Sequence, residues 1–78
     1  MIDPVTFRKA LENATLKEII KERDNLIREI RRYEKGKISE DEYCMDPSPE
    51  WVYCCNNLYL AELCYLINEK IKEEHSIQ

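Results

Sequence analysis

The fold of this chain is decided by residues 49–72, which read PEWVYCCNNLYLAELCYLINEKIK. Pro49 suits the first position of a helix, where its missing N–H costs no hydrogen bond, and Ser48 before it is a favourable N-cap. No glycine and no second proline interrupts the segment. The pattern predicts a helix from Pro49 to about Lys72, which we call helix three.

Helix three is apolar on two sides of its circumference. One set of side chains repeats with heptad-like spacing: Val52, Cys55, Tyr59, Leu63 and Leu66. A second set lies about 100–140° further round the helix and is called the Trp51–Tyr65 stripe: Trp51, Cys54, Leu58, Ala61 and Tyr65. A helix in a two-helix hairpin buries only one such set, so we expect the stripe to need another cover.

Two helix starts and one helix stop precede this segment. The Asp3–Pro4 pair supplies an N-cap carboxylate and a proline for the first helical position. Thr15 and Glu18 have the spacing of a capping box, in which each side chain bonds to the other residue's amide. Gly36 can end a helix because it adopts a left-handed conformation without steric cost.

These signals predict an all-α chain. We expect one domain over 1–78: an antiparallel hairpin of two long helices plus a short N-terminal helix, resembling a three-helix bundle. The competing interpretation is one continuous helix over 4–35, which no glycine or proline forbids. A connector spans 36–48, where Ser39 can cap one short helical turn. The predicted helices cover residues 4–13, 16–35 and 49–72.

One ion pair is predicted between the two long helices. If they pack antiparallel with facing residue numbers that sum to about 85, Ile19 lies beside Leu66 and Arg23 beside Glu62. Arg23 lies within the apolar arc of its helix, and Glu62 is the one acid within the apolar run of helix three. Pairing would compensate two charges that are costly to bury alone, and it would fix the register.

Charge is distributed unevenly along the chain. The net charge is −4; residues 1–38 hold ten Lys/Arg against seven Asp/Glu (+3), and residues 39–78 hold two against nine (−7). A net negative charge disfavours contact with nucleic acids and anionic membranes. The five cations at the end of helix two form a basic cluster, which is the one feature that favours nucleic acid: Arg28, Arg31, Arg32, Lys35 and Lys37.

The sequence predicts no membrane segment and no signal peptide. A signal peptide needs a charged start and an uninterrupted apolar core, and the first residues have no such core. The most apolar stretch, 51–67, contains Asn56, Asn57 and Glu62, which makes it too short and too polar to span a bilayer. We therefore expect a cytoplasmic protein whose thiols are reduced.

The four cysteines are expected to act as small buried hydrophobic residues. The alternative is a redox or metal sensor built on Cys54, Cys55 and Cys64. Zinc sites usually draw on close ligand pairs, which these cysteines and His75 do not form in the sequence. A catalytic cysteine needs a nearby base, and the one histidine, His75, lies in a charged tail that we expect to fray. We therefore expect no enzyme activity, no metal and no cofactor.

The segment Leu63–Ile71 resembles the second helix of a family of small aspartyl-phosphate phosphatases, which are also helical hairpins. The signature of that family is a Ser-Gln-x-Leu-Asp stretch just before Leu-Ile. The corresponding residues here are Leu60-Ala61-Glu62-Leu63-Cys64, so the serine, glutamine and aspartate are missing. The activity is therefore not carried over, and the sequence assigns this chain to no family.

These observations favour a non-catalytic protein–protein interaction module, such as a small regulatory or accessory protein. The predicted contact surface is the Trp51–Tyr65 stripe, and the partner is either another protein or a second copy of this chain. The competing interpretation is that helix one covers the stripe and the chain is a monomer. A further alternative is a small dimeric, nucleic-acid-linked regulator that presents the basic cluster between Arg28 and Lys37.

Overall fold

Four helices make up the computed structural model, which describes residues 2–75 of the chain. The two long helices pack along each other, and the N-terminal helix packs on the last one. This confirms the predicted all-α hairpin with a short N-terminal helix. The helices are α1 Pro4–Ala10, α2 Leu16–Glu34, α3 Glu40–Tyr43 and α4 Pro49–His75.

The helix starts follow the capping signals of the sequence. The Asp3 carboxylate accepts a hydrogen bond from the Thr6 amide at 3.0 Å, and the Thr15 hydroxyl accepts one from the Glu18 amide at 3.2 Å. The Ser39 hydroxyl likewise accepts from the amide of Glu42 at 3.3 Å, which starts α3 within the connector. Each cap satisfies an amide that the first helical turn leaves without a partner.

The first two helices are separate, and α1 ends three residues before the predicted boundary at 13. The Leu11 amide bonds to the Arg8 carbonyl at 3.0 Å, which tightens the last turn and ends the helix. The break turns Leu11 and Ala14 towards the core, where both pack against buried side chains. A continuous helix over 4–35 is therefore excluded.

Gly36 ends the second helix as predicted, with a φ of 70°. The Lys37 amide donates to the Arg32 carbonyl and the Gly36 amide donates to the Tyr33 carbonyl, each at 3.0 Å. These two bonds form a Schellman motif, which reverses the chain direction into the connector. The connector is held to α2 by Arg32, whose Nη1 lies 3.0 Å from Glu42 Oε2.

The core lies at the end of the hairpin where α1 crosses α4. Ile19 and Leu63 are fully buried, and Leu66 and Ile67 complete the cluster. The contact of Ile19 with this part of α4 agrees with the predicted antiparallel register. Phe7 of α1 covers the next turn, where its ring stacks on Tyr59 with centroids 4.4 Å apart.

The molecule is elongated, with principal extents of 53 × 23 × 15 Å. Its Cα radius of gyration is 14.7 Å, whereas a compact chain of this length would have about 11–12 Å. Only six hydrophobic side chains of the described residues are buried. A long hairpin with so small a core leaves much of its apolar surface in contact with solvent.

The predicted pair of Arg23 and Glu62 is wrong. Arg23 binds its neighbour Asp24 at 3.2 Å, and Glu62 binds Arg8 of α1 at 3.3 Å. Glu62 lies on the edge of α4 that faces α1, so the cation of the N-terminal helix reaches it. The sequence register did not include the approach of α1.

Replacing Leu63 with alanine is expected to destabilise the fold by about 2–5 kcal/mol, because the cavity left between α2 and α4 has no side chain that can fill it. Ile71→Ala is the matched control, since Ile71 is 39% exposed on the same helix. The control should change the free energy of unfolding by about 0.5 kcal/mol or less. Urea denaturation followed by circular dichroism measures both. Equal losses would place Leu63 outside the core.

Candidate functional site

The Trp51–Tyr65 stripe lies on the surface of α4. Trp51, Leu58 and Tyr65 are 56%, 54% and 52% exposed, and the small residues Cys54 and Ala61 between them are exposed as well. Such large apolar side chains are uncommon on a surface when they form a continuous row. The interpretation in which helix one covers the stripe is therefore wrong.

The opposite side of α4 carries the second set of apolar residues, and it faces the core. Tyr59, Leu63 and Leu66 are buried, while Val52 and Cys55 are half-buried. The two sets that the sequence distinguishes are thus one covered side and one uncovered side of the same helix. The seven-residue α1 and the apolar face of α2 pack on one side of α4 and leave the other side uncovered.

Arg8 forms one edge of the stripe. Its guanidinium lies 5.3 Å from the centroid of the Tyr65 ring, a cation–π distance, while Nη1 bonds to Glu62. Arg8 is the residue through which α1 contacts the stripe, and its guanidinium lies over one face of the Tyr65 ring. The outward surface of the ring stays open, which keeps Tyr65 half exposed.

The side chains of the stripe follow the same order of size when they are read from either end of α4. A bulky aromatic residue stands at each end, a small residue stands second and fourth, and Leu58 is central. The spacing alternates between three and four residues, so the row stays on one side of the helix over about 21 Å. A row with this symmetry is complementary to itself when a second copy runs in the opposite direction.

The cysteines are more exposed than the sequence analysis expected. Cys44, Cys54 and Cys64 are exposed and only Cys55 is half-buried, so the expectation of buried thiols is wrong for three of the four. Cys54 and Cys64 are exposed because α4 has more apolar circumference than α1 and α2 cover, whereas Cys44 lies in the connector after α3. Across the described residues, no three His, Cys, Asp or Glu side chains stand close enough to hold a metal ion. The side chain of His75 lies outside the described part.

The five cations of the predicted basic cluster line one shallow depression of about 540 Å³ at the end of α2. One of them, Arg32, is engaged by Glu29 at 3.3 Å and by Glu42 at 3.0 Å. The hydrogen bond that Arg32 donates to Glu42 is the main cause that raises the pKa of Arg32. The structure therefore brings the cluster together, and one member of it also fastens the connector.

A second concave region was not foreseen from the sequence. It lies between α2, the connector and α4, and it contains Asn56, a buried polar side chain on the core-facing side of α4. A signal for it was present, because Asn56 precedes Leu63 by seven residues and therefore occupies a core position of the helix. An amide at a core position has to find a partner.

Two stacked tyrosines form part of the wall of this region. The rings of Tyr33 and Tyr53 have centroids 4.4 Å apart, and the Tyr53 hydroxyl donates to Glu34 at 2.7 Å. This hydrogen bond is the main cause that raises the pKa of Tyr53, and burial raises the pKa of Tyr33. Both phenols are therefore neutral at pH 7.

No protein-family model, curated protein or solved structure matches this chain. In the described part of the chain, no helix has the length and apolar character needed to cross a membrane. The site is therefore interpreted from its own geometry.

The ion pair at the edge of the stripe, between Arg8 and Glu62, can be tested by a double-mutant cycle. Arg8→Met and Glu62→Gln should be non-additive, with a coupling of about 0.2–1 kcal/mol in the free energy of unfolding, because both side chains are largely covered and in contact. Arg23→Met combined with Glu62→Gln should be additive within about 0.3 kcal/mol. Urea denaturation at low salt measures both cycles. Coupling in the second cycle alone would mean that Glu62 pairs with Arg23, as the sequence predicted.

Proposed function

We propose that this chain is a non-catalytic protein-interaction module that pairs the Trp51–Tyr65 stripe with the same stripe of a second copy. The observation that carries the proposal is the continuous apolar row on the uncovered side of α4. Small regulatory and accessory proteins commonly act through such contacts, and this class is the one that we assign. The cytoplasmic location stays a prediction from the sequence.

A two-fold axis at Leu58 gives the row a self-complementary partner. In an antiparallel pair centred there, Trp51 meets Tyr65 of the second copy and Cys54 meets Ala61, so that facing residue numbers sum to 115 or 116. Each small pair leaves room for the adjacent bulky side chains, as in knobs-into-holes packing. Identical surface patches on both subunits are typical of two-fold dimers.

The expected dimer is weak. A contact along one stripe about 21 Å long buries an area at the small end of the range for specific interfaces. Such a dimer is expected to dissociate and re-form readily. Each copy carries a net charge of −4, so the two copies repel each other at long range. Added salt screens this repulsion, and we expect it to strengthen self-association.

Sedimentation velocity of the wild type beside Leu58→Glu tests this proposal. The wild type should show a concentration-dependent dimer, and Leu58→Glu should remain a monomer with unchanged helicity, because two carboxylates would meet at the two-fold axis. Asn68→Glu is the matched control, since it adds the same charge at an exposed position of α4 three residues beyond Tyr65, past the end of the stripe. The control should still dimerise.

Three results would contradict the proposal: a wild type that stays monomeric at high concentration, a dimer that Leu58→Glu leaves intact, or unfolding of Leu58→Glu. Unfolding would mean that Leu58 belongs to the internal core. If another protein covers the stripe, the wild type is monomeric and the self-association proposed here is wrong.

A second candidate function rests on the depression that the basic cluster lines. The five cations lie together around this depression, and this observation favours a regulator linked to nucleic acid. Such proteins neutralise phosphates with clustered Lys and Arg side chains. The acidic remainder of the chain disfavours it. Salt separates the two candidates, because it weakens binding to nucleic acid and strengthens self-association.

A gel shift with duplex and single-stranded DNA at two salt concentrations tests the second candidate. If it holds, binding should fall steeply with salt and vanish when four cations become glutamine: Arg28, Arg31, Lys35 and Lys37. Arg32 is kept because it fastens the connector. The control removes four cations elsewhere: Lys9, Lys17, Lys21 and Lys72. Equal effects of the two variants would indicate non-specific attraction.

A further inference from the structure

A cavity of about 420 Å³ opens where α2, the connector and α4 meet. Its wall is mainly apolar and includes Tyr33, Pro47, Val52 and Tyr53. This volume falls within the range of about 300–1,000 Å³ that is usual for small-ligand sites. The cavity and the Trp51–Tyr65 stripe lie on different sides of α4, so the inference below does not depend on self-association.

Asn56 is the polar group that this wall leaves without a partner. Its side chain lines the cavity and is 7% exposed, and among residues 2–75 its carboxamide has no hydrogen bond. Every fully enclosed side-chain N or O atom in the described part has a partner, so the Asn56 carboxamide is reached through the cavity. Because the amide is accessible only from the cavity, a ligand in the cavity can supply a hydrogen bond that no described residue makes.

The rim of the cavity is acidic. Glu29, Glu42 and Asp46 contribute three carboxylates, and Arg32 contributes the one cation. The Arg32 guanidinium is already bonded to Glu29 and Glu42, so it has less capacity for an incoming anion. The formal charge of these four groups is −3 + 1 = −2, which disfavours an anionic ligand and favours a neutral or cationic one.

We propose that this cavity is a binding site for a small molecule with an apolar ring and one planar amide edge. The Asn56 carboxamide presents a donor and an acceptor side by side, which matches the adjacent N–H and C=O of another amide. The stacked Tyr33 and Tyr53 rings give the ring of the ligand a rigid aromatic wall. A cationic substituent on the ligand reaches the carboxylates of the rim.

Three simple probes test this assignment on the full-length wild-type chain. Benzamide has the ring and the amide, 4-(aminomethyl)benzamide adds an ammonium group, and benzoate keeps the shape but is an anion without the N–H donors. In a ¹⁵N-labelled sample, benzamide should shift the signals of Tyr53 and Asn56 and saturate at concentrations on the order of millimolar, as expected for a fragment. The aminomethyl compound should bind at least as tightly, and benzoate about tenfold more weakly or worse.

Asn56→Leu separates a binding role from a structural one. The substitution keeps the shape and removes the amide, so benzamide affinity should fall about tenfold or more. The unfolding midpoint should not fall, because an unpaired polar group has been replaced by an apolar one. Asn68→Leu is the control on the same helix, at an exposed position outside the cavity, and it should bind benzamide as the wild type does.

Several results would overturn the proposal. Absence of shifts with benzamide up to about 50 mM would mean that the cavity holds only water, since even a modest fragment would be detected there. Equal binding of benzamide and benzoate would exclude selection by the amide and by the acidic rim. Unchanged benzamide affinity in Asn56→Leu would place the binding elsewhere. The comparison of the probes uses the wild type, so it remains decisive if the variant fails to fold.

Discussion

The apolar circumference of α4 is the constraint on which the rest of the structure depends. A 27-residue helix with apolar side chains on two sides needs neighbours on two sides, and this chain supplies them on one. The amphipathic α2 packs along the covered side, and the short α1 crosses it near Tyr59 and Leu63. The other side remains as the Trp51–Tyr65 stripe, because no helix among residues 2–75 covers it.

The same constraint explains why the two ends of the hairpin differ. At the α1 end, three helices meet and enclose Ile19 and Leu63 completely. At the connector end, only α2 and α4 face each other, and the gap is bridged by the Tyr33–Tyr53 stack and by the connector. This end stays open enough to form a cavity, and it is also where a buried asparagine remains without a partner. The fully buried side chains therefore lie at the α1 end, and the cavity lies at the connector end.

Local signals in the sequence predicted most of the secondary structure. Asp3, Thr15 and Ser39 start helices and Gly36 ends one, because capping depends on residues within four positions of each other. The two-sided pattern of α4 also predicted which of its residues face the core. Both features can be predicted from the spacing of residues along a helix, without knowing how the helices pack.

The features that the sequence analysis missed depend on where α1 approaches. Arg8, not Arg23, is the partner of Glu62, since the crossing of α1 brings a second cation to that edge of α4. The cysteines were expected to be buried because free cysteine usually acts as a small buried hydrophobic residue, and a general preference of this kind does not say which side of α4 is covered. Asn56 was overlooked because a polar residue in an apolar run gives no direct indication of a cavity, which exists only once the connector folds over α2.

The account rests on the claim that the uncovered side of α4 is a contact surface, and the cysteines of the native chain offer a direct measurement. Cys54 lies in the stripe, whereas Cys64 lies about 100° away round the same helix, and both are exposed in the single chain. Alkylation rates of each thiol, followed by mass spectrometry across a range of protein concentrations, compare them within one sample. The account predicts that Cys54, which meets Ala61 of the second copy, becomes more strongly protected than Cys64 as concentration rises. Rates for both thiols that stay constant at every concentration would contradict it.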